Sequence, residues 1–242
     1  MSVQTKVGRP GEEAKRIPPL RNGDHLTGEE YDRRYEAMPD VRAELIEGVV
    51  YLMASPVRCD DHGEPHADAI TWLGLYRIGT PGVRVGDNST MRLDLDNRPQ
   101  PDAYLRIVTE CGGQSRVDGG YIVGAVELAV EVAATSVSYD LYDKLNVYRR
   151  NGVREYMVWR AEEGEVDWFV LRGDHYDRLT SGPDGIIRSE VFPGLWLDSA
   201  ALVRGDMARV DDVVRLGLAM PDHAEFVDRL RRRADEAATS GG

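Results

Sequence analysis

The sequence predicts a mixed α/β protein, a central sheet flanked by helices. Three observations predict it. Short strand-like segments recur between residues 42 and 191. Helical segments interrupt them at 27–38, 66–78 and 140–151. From Asp198 onward the periodicity is helical. The expected divisions are a loose tail over 1–24, a core over 25–197 and a helical C-terminal appendage over 198–242.

Residues 1–24 are polar, carry Pro18-Pro19 and show no periodicity. Thr27 to Glu30 matches a capping box, with Thr27 as cap and Glu30 reaching back, so a helix runs to about Met38. Residues 42–53 read as two strands turning at Glu47-Gly48. A polar loop over 55–65 leads to a helix from about His66 to Ile78. Strands are expected at 83–85, at 90–95 (where MRLDLD alternates) and at 102–108. The glycine-rich stretch 109–124 reads as a long surface loop.

Then come a strand over 126–133, a helix over 140–151 and a strand over 153–160. A further strand, 165–172, forms a hairpin across Glu162-Glu163-Gly164, with short edge strands near 175–179 and 186–191. Asp206 or a neighbour opens one late helix and Pro221 another, while residues 231–242 are expected to fray.

Composition narrows the classes. The 242 residues suit one domain with additions, and 42% hydrophobic content is ordinary for a globular protein. No apolar run reaches the roughly 18–20 residues that span a bilayer, so no membrane association is expected. The N-terminus lacks a signal-peptide core, and the two cysteines, Cys59 and Cys111, lack a disulfide-scaffold pattern. The expected location is the cytoplasm. The net charge of −12 opposes nucleic-acid binding, because affinity for phosphates comes largely from lysine and arginine. Either a local basic patch faces such a partner, or the protein does not bind nucleic acid by itself.

Strand parity identifies the candidate chemistry. On 126–133, Val126, Leu128, Val130 and Val132 share one bulky apolar face. Glu127, Ala129, Glu131 and Ala133 share the other, which is small and acidic and leaves room for ions or water. A carboxylate inside a buried strand is costly without a partner or a metal. Asp102, Tyr104 and Arg106 share a face of an earlier strand; if Asp102 pairs near Glu131, two carboxylates converge. Hard oxygen ligands of this kind suit Mg²⁺ or Mn²⁺ and point to phosphodiester chemistry.

Each residue also has a plainer reading. Glu131 is equally a structural carboxylate paired with a lysine or arginine, and Asp102 a turn residue after Pro101. Asp140, Lys144 and Tyr148 form one helical stripe. There Lys144 either orients an attacking water or pairs with Asp140 at the surface, and Asp140 reads as a helix N-cap. Glu44 shares a strand face with Ile46, a hint of burial against a solvated charge. Cys59, His62 and His66 have metal-ligand spacing but lack the fourth ligand of a zinc site. His66 is a candidate phosphate contact against a surface or capping role. There is no P-loop, GxGxxG or Gly-x-Ser-x-Gly signature.

From about Leu26 to Leu230 the chain resembles the Uma-type restriction endonuclease family of the PD-(D/E)xK nuclease superfamily. The resemblance rests on Ala43 to Gly48, Ser55-Pro56 followed by His66, Pro101-Asp102 and Glu131 to Ala133, and on the run from Tyr139-Asp140 through Lys144 and Tyr148 to Tyr156. It implies a restriction-endonuclease-like fold, with Asp102 and Glu131 as motif acids and Glu44 as the acid of the early element. The usual lysine position, two residues after the second acid, is Ala133. Lys144 is the matching position on the following helix.

The resulting expectation is a Mg²⁺- or Mn²⁺-dependent endonuclease acting on nucleic acid, DNA before RNA. Glu44, Asp102, Glu131 and Lys144 would be catalytic, the three acids would hold the metal, and His66 and Tyr148 would meet substrate. A homodimer is expected by analogy. A non-catalytic interaction module of the same fold is the alternative, and a small-phosphoester hydrolase a third reading.

Overall fold

The computed structural model describes residues 17–53, 62–134 and 136–240. A six-stranded sheet organises the chain. Its strands are β3 (Val83–Asp87), β5 (Ala103–Ile107), β8 (Leu128–Ala133), β9 (Glu155–Arg160), β10 (Glu165–Arg172) and β11 (His175–Arg178), in the spatial order β11-β10-β9-β8-β5-β3. β8 and β9 run parallel, and the other pairs are antiparallel. A parallel pair needs a crossover, which residues 136–150 supply. Helices flank the sheet, as expected from the sequence.

One sheet face carries Leu105, Leu128, Val130, Val132, Met157 and Trp159 into the main core. Against it pack α2 (Glu64–Gly79) and the late helices α5 (Met207–Leu218) and α6 (Pro221–Ser240), which supply Trp72, Val210, Val214, Phe226 and Leu230. Trp72 meets Trp168 edge-on at 5.4 Å between ring centroids. Such ring pairs add ~0.5–1.5 kcal/mol beyond area burial. The C-terminal helices therefore complete the main core rather than sit apart from it. α6 continues through Ser240, where fraying was expected; its Arg- and Ala-rich tail favours helix.

The opposite face carries Tyr104, Ala129, Ala133, Tyr156 and Val158, with Tyr148, Met91 and Ile122 in the same cluster. The space beside the small residues of β8 is thus filled by tyrosines. Val126 also belongs here, against the parity expectation, because regular strand geometry begins only at Leu128. Glu127 is fully buried and accepts the Ile107 and Gln114 backbone N–H groups, a structural role.

A third cluster joins α1 (Gly28–Tyr35) to the hairpin of β1 (Ala43–Ile46) and β2 (Val49–Leu52). Glu47 and Gly48 both have positive φ, 52° and 73°, as a type I′ turn requires. Thr27 caps α1, but Glu30 binds Arg33 and Arg34 instead of reaching back; two guanidinium partners outcompete one backbone N–H. Leu20 is buried in this cluster, so the loose tail does not extend to residue 24.

Three other expectations change. The 90–95 strand shortens to β4 (Met91–Arg92), because the Asp94 side chain accepts from the Asp96 backbone and from Asn97 and bends the chain. The expected loop at 109–124 contains the hairpin β6 (Arg116–Asp118) and β7 (Tyr121–Val123), turning at Gly119-Gly120, with β7 parallel to β4. A small sheet of β12 (Ile186–Arg188) and β13 (Trp196–Asp198) precedes the short helix α4 (Ser199–Val203).

Candidate active site

β1 brings the first acid to the site. Leu45 and Arg98 exchange backbone hydrogen bonds, so the hairpin runs beside the segment leading into β5. Glu44 Oε1 then accepts the Gln100 backbone N–H at 2.6 Å. β5 and β8 bring the next two. Ala103 stands opposite Val130 and Tyr104 opposite Ala129, so one further step carries Asp102 opposite Glu131. Asp102 Oδ2 accepts the Val132 backbone N–H at 2.8 Å.

The crossover supplies the cation. Where an uninterrupted helix was expected over 140–151, the chain forms a wide helical turn, Tyr139–Lys144, followed by α3 (Leu145–Arg150). Wide turns recur at functional positions in helices. This one buries both Asp140 and Lys144. Lys144 Nζ lies 2.9 Å from Glu44 Oε1, 3.0 Å from Glu131 Oε1 and 3.6 Å from Asp140 Oδ1. Tyr148 donates its hydroxyl to Glu131 Oε1 at 3.0 Å, and Ser136 donates to Asp140 Oδ2. Asp140 is therefore no helix cap, and Glu44 is no solvated charge.

Burial governs the electrostatics. It pushes the Glu131 carboxyl well above its ordinary range against the pull of Lys144, and the charges of Asp140, Asp102 and Glu44 push further. Burial likewise raises Glu44 and Asp140. Burial alone would depress the Lys144 ammonium, but Glu131, Glu44 and Asp140 hold it well above its usual value. Asp102 goes the other way. Burial pushes it up, yet the hydrogen bond and charge of His62, with Lys144 and the Val132 N–H, bring it below the ordinary value.

Solvent reaches the group from one side. The Asp102 and His62 side chains are 16% and 28% exposed, against 2–4% for Glu44, Glu131, Asp140 and Lys144. Among the described residues, no three His, Cys, Asp or Glu side chains are grouped so as to hold a metal ion by themselves. The Lys144 ammonium stands between the acids.

The two expected substrate contacts fall elsewhere. Tyr148 is fully buried with its hydroxyl on Glu131, so it supports that acid and does not face solvent. His66 Nε2 bonds the Asp102 carbonyl oxygen at 2.7 Å and is not free for a phosphate. Cys59 of the zinc spacing, and Ser55-Pro56, lie outside the described residues. His62 and His66 stack at 5.6 Å and face the oxygens of Asp102 and Val132. Sequence reading took Asp140 for a helix cap or a surface partner of Lys144, and passed over Gln100. Asp140 carried a signal in its i, i+4 spacing to Lys144; Gln100 acts through its backbone and carried none.

A family model described as "Uma2: Putative restriction endonuclease" matches residues 29–200. The chain belongs to the Uma2 family. All of Glu44, Asp102, Glu131, Asp140 and Lys144 fall within the matched span. Among solved structures, this Uma2 chain is similar to one described as a putative nuclease belonging to DUF820 from Anabaena variabilis. The two share 15% identity with a TM-score of 0.51, over 71% of this chain and 97% of that one. That likeness establishes the fold. No curated protein matches the chain. Membership places the Uma2 chain, at a coarse level, among nucleases. No described helix is long and apolar enough to cross a membrane.

Proposed function

We propose that this Uma2 protein is a Mg²⁺- or Mn²⁺-dependent endonuclease that hydrolyses phosphodiester bonds of nucleic acid, DNA before RNA. The observation that carries the reading is the charge balance of the pocket. Three buried carboxylates, Glu44, Glu131 and Asp140, surround one ammonium, Lys144. Asp102 and its partner His62 adjoin them at the solvent side. Unbalanced buried charge is costly, and the raised proton affinities of Glu44, Glu131 and Asp140 express that cost. A hard divalent cation relieves the same deficit, and carboxylate oxygens are its preferred ligands.

The donor chemistry suits Mg²⁺ or Mn²⁺: Asp102 and Glu131 would hold the ion and Glu44 would complete the shell, once the Lys144 ammonium shifts from between Glu44 and Glu131. A bound ion would supply a more acidic water and charge stabilisation at the phosphate. The chain's own residues do the remaining work. Lys144 orients the nucleophilic water and offsets charge developing on the phosphate. Tyr148 fixes Glu131, the Gln100 N–H fixes Glu44, and the Val132 N–H fixes Asp102.

Nicking of supercoiled plasmid, with Mg²⁺ and with chelator, tests the proposal. Asp102→Asn and Glu131→Gln should each lower the Mg²⁺-dependent rate roughly a hundredfold or more with the fold intact. Undiminished cleavage by purified Glu131→Gln would refute the assignment. Lys144→Ala is a poorer reporter, because breaking a buried ion group costs about 3–5 kcal/mol of stability.

A non-catalytic interaction module is the second reading. The Lys144 ammonium between the acids and the net charge of −12 favour it. Calorimetric titration with Mn²⁺ separates the two, since only a competent site binds the ion.

A further inference from the structure

His62 and His66 sit one helical turn apart at the entrance to α2, and both rings meet the strand end that carries Asp102. His66 Nε2 lies 2.7 Å from the Asp102 carbonyl oxygen. His62 Nδ1 lies 3.0 Å from the Val132 carbonyl oxygen, and its Nε2 lies 3.4 Å from Asp102 Oδ1. A carbonyl or carboxylate oxygen only accepts, so His66 donates through Nε2, while His62 donates through Nδ1 to Val132 and through Nε2 to Asp102 as an imidazolium. The other carboxylate oxygen of Asp102 accepts the Val132 N–H. Asp102 is thus held at its main chain by one histidine, and at its side chain by the other histidine and by the neighbouring strand. Among the described residues, no other acid of the pocket is held from α2 or the turn before it.

We infer that His62 and His66 are positioning residues that clamp Asp102 beside Glu131, so that α2 sets the geometry of the solvent-facing acid. The metal-affinity part of this inference rests on the endonuclease reading above; the clamp itself does not. Asp102 has the most solvent contact of the pocket's four acids, so its orientation is the one an entering ion or phosphate meets first. Groups that hydrogen-bond a metal-binding carboxylate typically change metal affinity by about 10–100-fold when removed. A plain pin between α2 and the sheet would serve stability alone, and it would not depend on which ring nitrogen is replaced.

The full chain is tested as wild type, His62→Leu, His62→Gln and His62→Asn. A glutamine amide reaches the place of Nε2, facing Asp102, whereas an asparagine amide replaces Nδ1, facing Val132. Two readouts are taken: hydrogen exchange of the Val132 amide, whose acceptor is Asp102, and Mn²⁺ affinity by calorimetry. His62→Leu should speed Val132 exchange roughly tenfold, the loss of about one hydrogen bond. It should also weaken Mn²⁺ binding at least tenfold. His62→Gln should restore both, and His62→Asn neither. Unchanged Val132 exchange in His62→Leu, or equal rescue by Asn and Gln, overturns the clamp. If the wild type binds no Mn²⁺, the endonuclease reading falls, and Val132 exchange alone decides the clamp.

Discussion

At the scale of single residues, the costliest groups are buried carboxylates, and the chain treats them in two ways. Glu131 is held by an ammonium and a phenol. Glu155, on β9, has no salt-bridge partner among the described residues. It is satisfied by the Ser189 hydroxyl at 2.8 Å and by the Glu190 and Val191 N–H groups at 2.7 and 3.0 Å. Those bonds only partly offset burial, which pushes its carboxyl up to about 7. An acid raised on folding binds protons more tightly in the folded state. Its contribution to stability is therefore complete below the unfolded value of about 4.5 and is lost as pH rises to about 7. At about 1.4 kcal/mol per pH unit, that amounts to roughly 3–4 kcal/mol across the window. Urea unfolding of wild type and Glu155→Gln at several pH values checks this. The wild type should lose stability relative to the variant between about pH 4.5 and 7. The amide keeps the shape, accepts both N–H groups and donates to Ser189, whose hydroxyl also accepts the Phe192 N–H.

At the scale of elements, close backbone approaches fix how α5 meets the turn before β13. A Cβ on Gly217 would stand 2.2 Å from the Gly194 carbonyl oxygen, and one on Gly194 would stand 2.7 Å from the Gly217 carbonyl oxygen. Gly194 also has φ of +86°. Helix propensity alone would favour Gly217→Ala by about 1 kcal/mol. Overpacking against main chain costs about 1–3 kcal/mol, because a backbone oxygen cannot swing aside as a side chain can. Gly217→Ala should therefore be destabilising on balance, read as a lower urea midpoint with an unchanged slope. Exposed helix positions of α5 should instead tolerate alanine.

At the scale of the whole molecule, the late helices decide stability. Phe226 and Leu230 of α6 enter the same cluster as Trp72 and Val130. His223 is buried beneath them, bonded to Thr80 Oγ1 and the Leu218 carbonyl oxygen, each at 3.0 Å. Removing residues 221–242 deletes two large core side chains, at about 3–5 kcal/mol for the Phe and 2–5 for the Leu. Thermal melting of a chain ending at Met220 should show a midpoint at least ~10 °C lower, or no cooperative transition. A midpoint equal to the full chain would mean that α6 is an appendage in the energetic sense.

The sequence by itself determined the features set by local periodicity and local chemistry. The alternation of β8 turned Glu131 away from Val130 and Val132, because successive side chains on a strand point to opposite faces. Glu47-Gly48 specified a tight hairpin, and Asp206 and Pro221 marked two helix starts. Only the tertiary structure decided that Lys144 reaches Glu44 from 100 positions away, that His66 of α2 and His62 just before it hold Asp102, and that α6 belongs to the main core. Those contacts depend on which faces pack together, and a hydrophobic stripe states that it must be covered without stating by what.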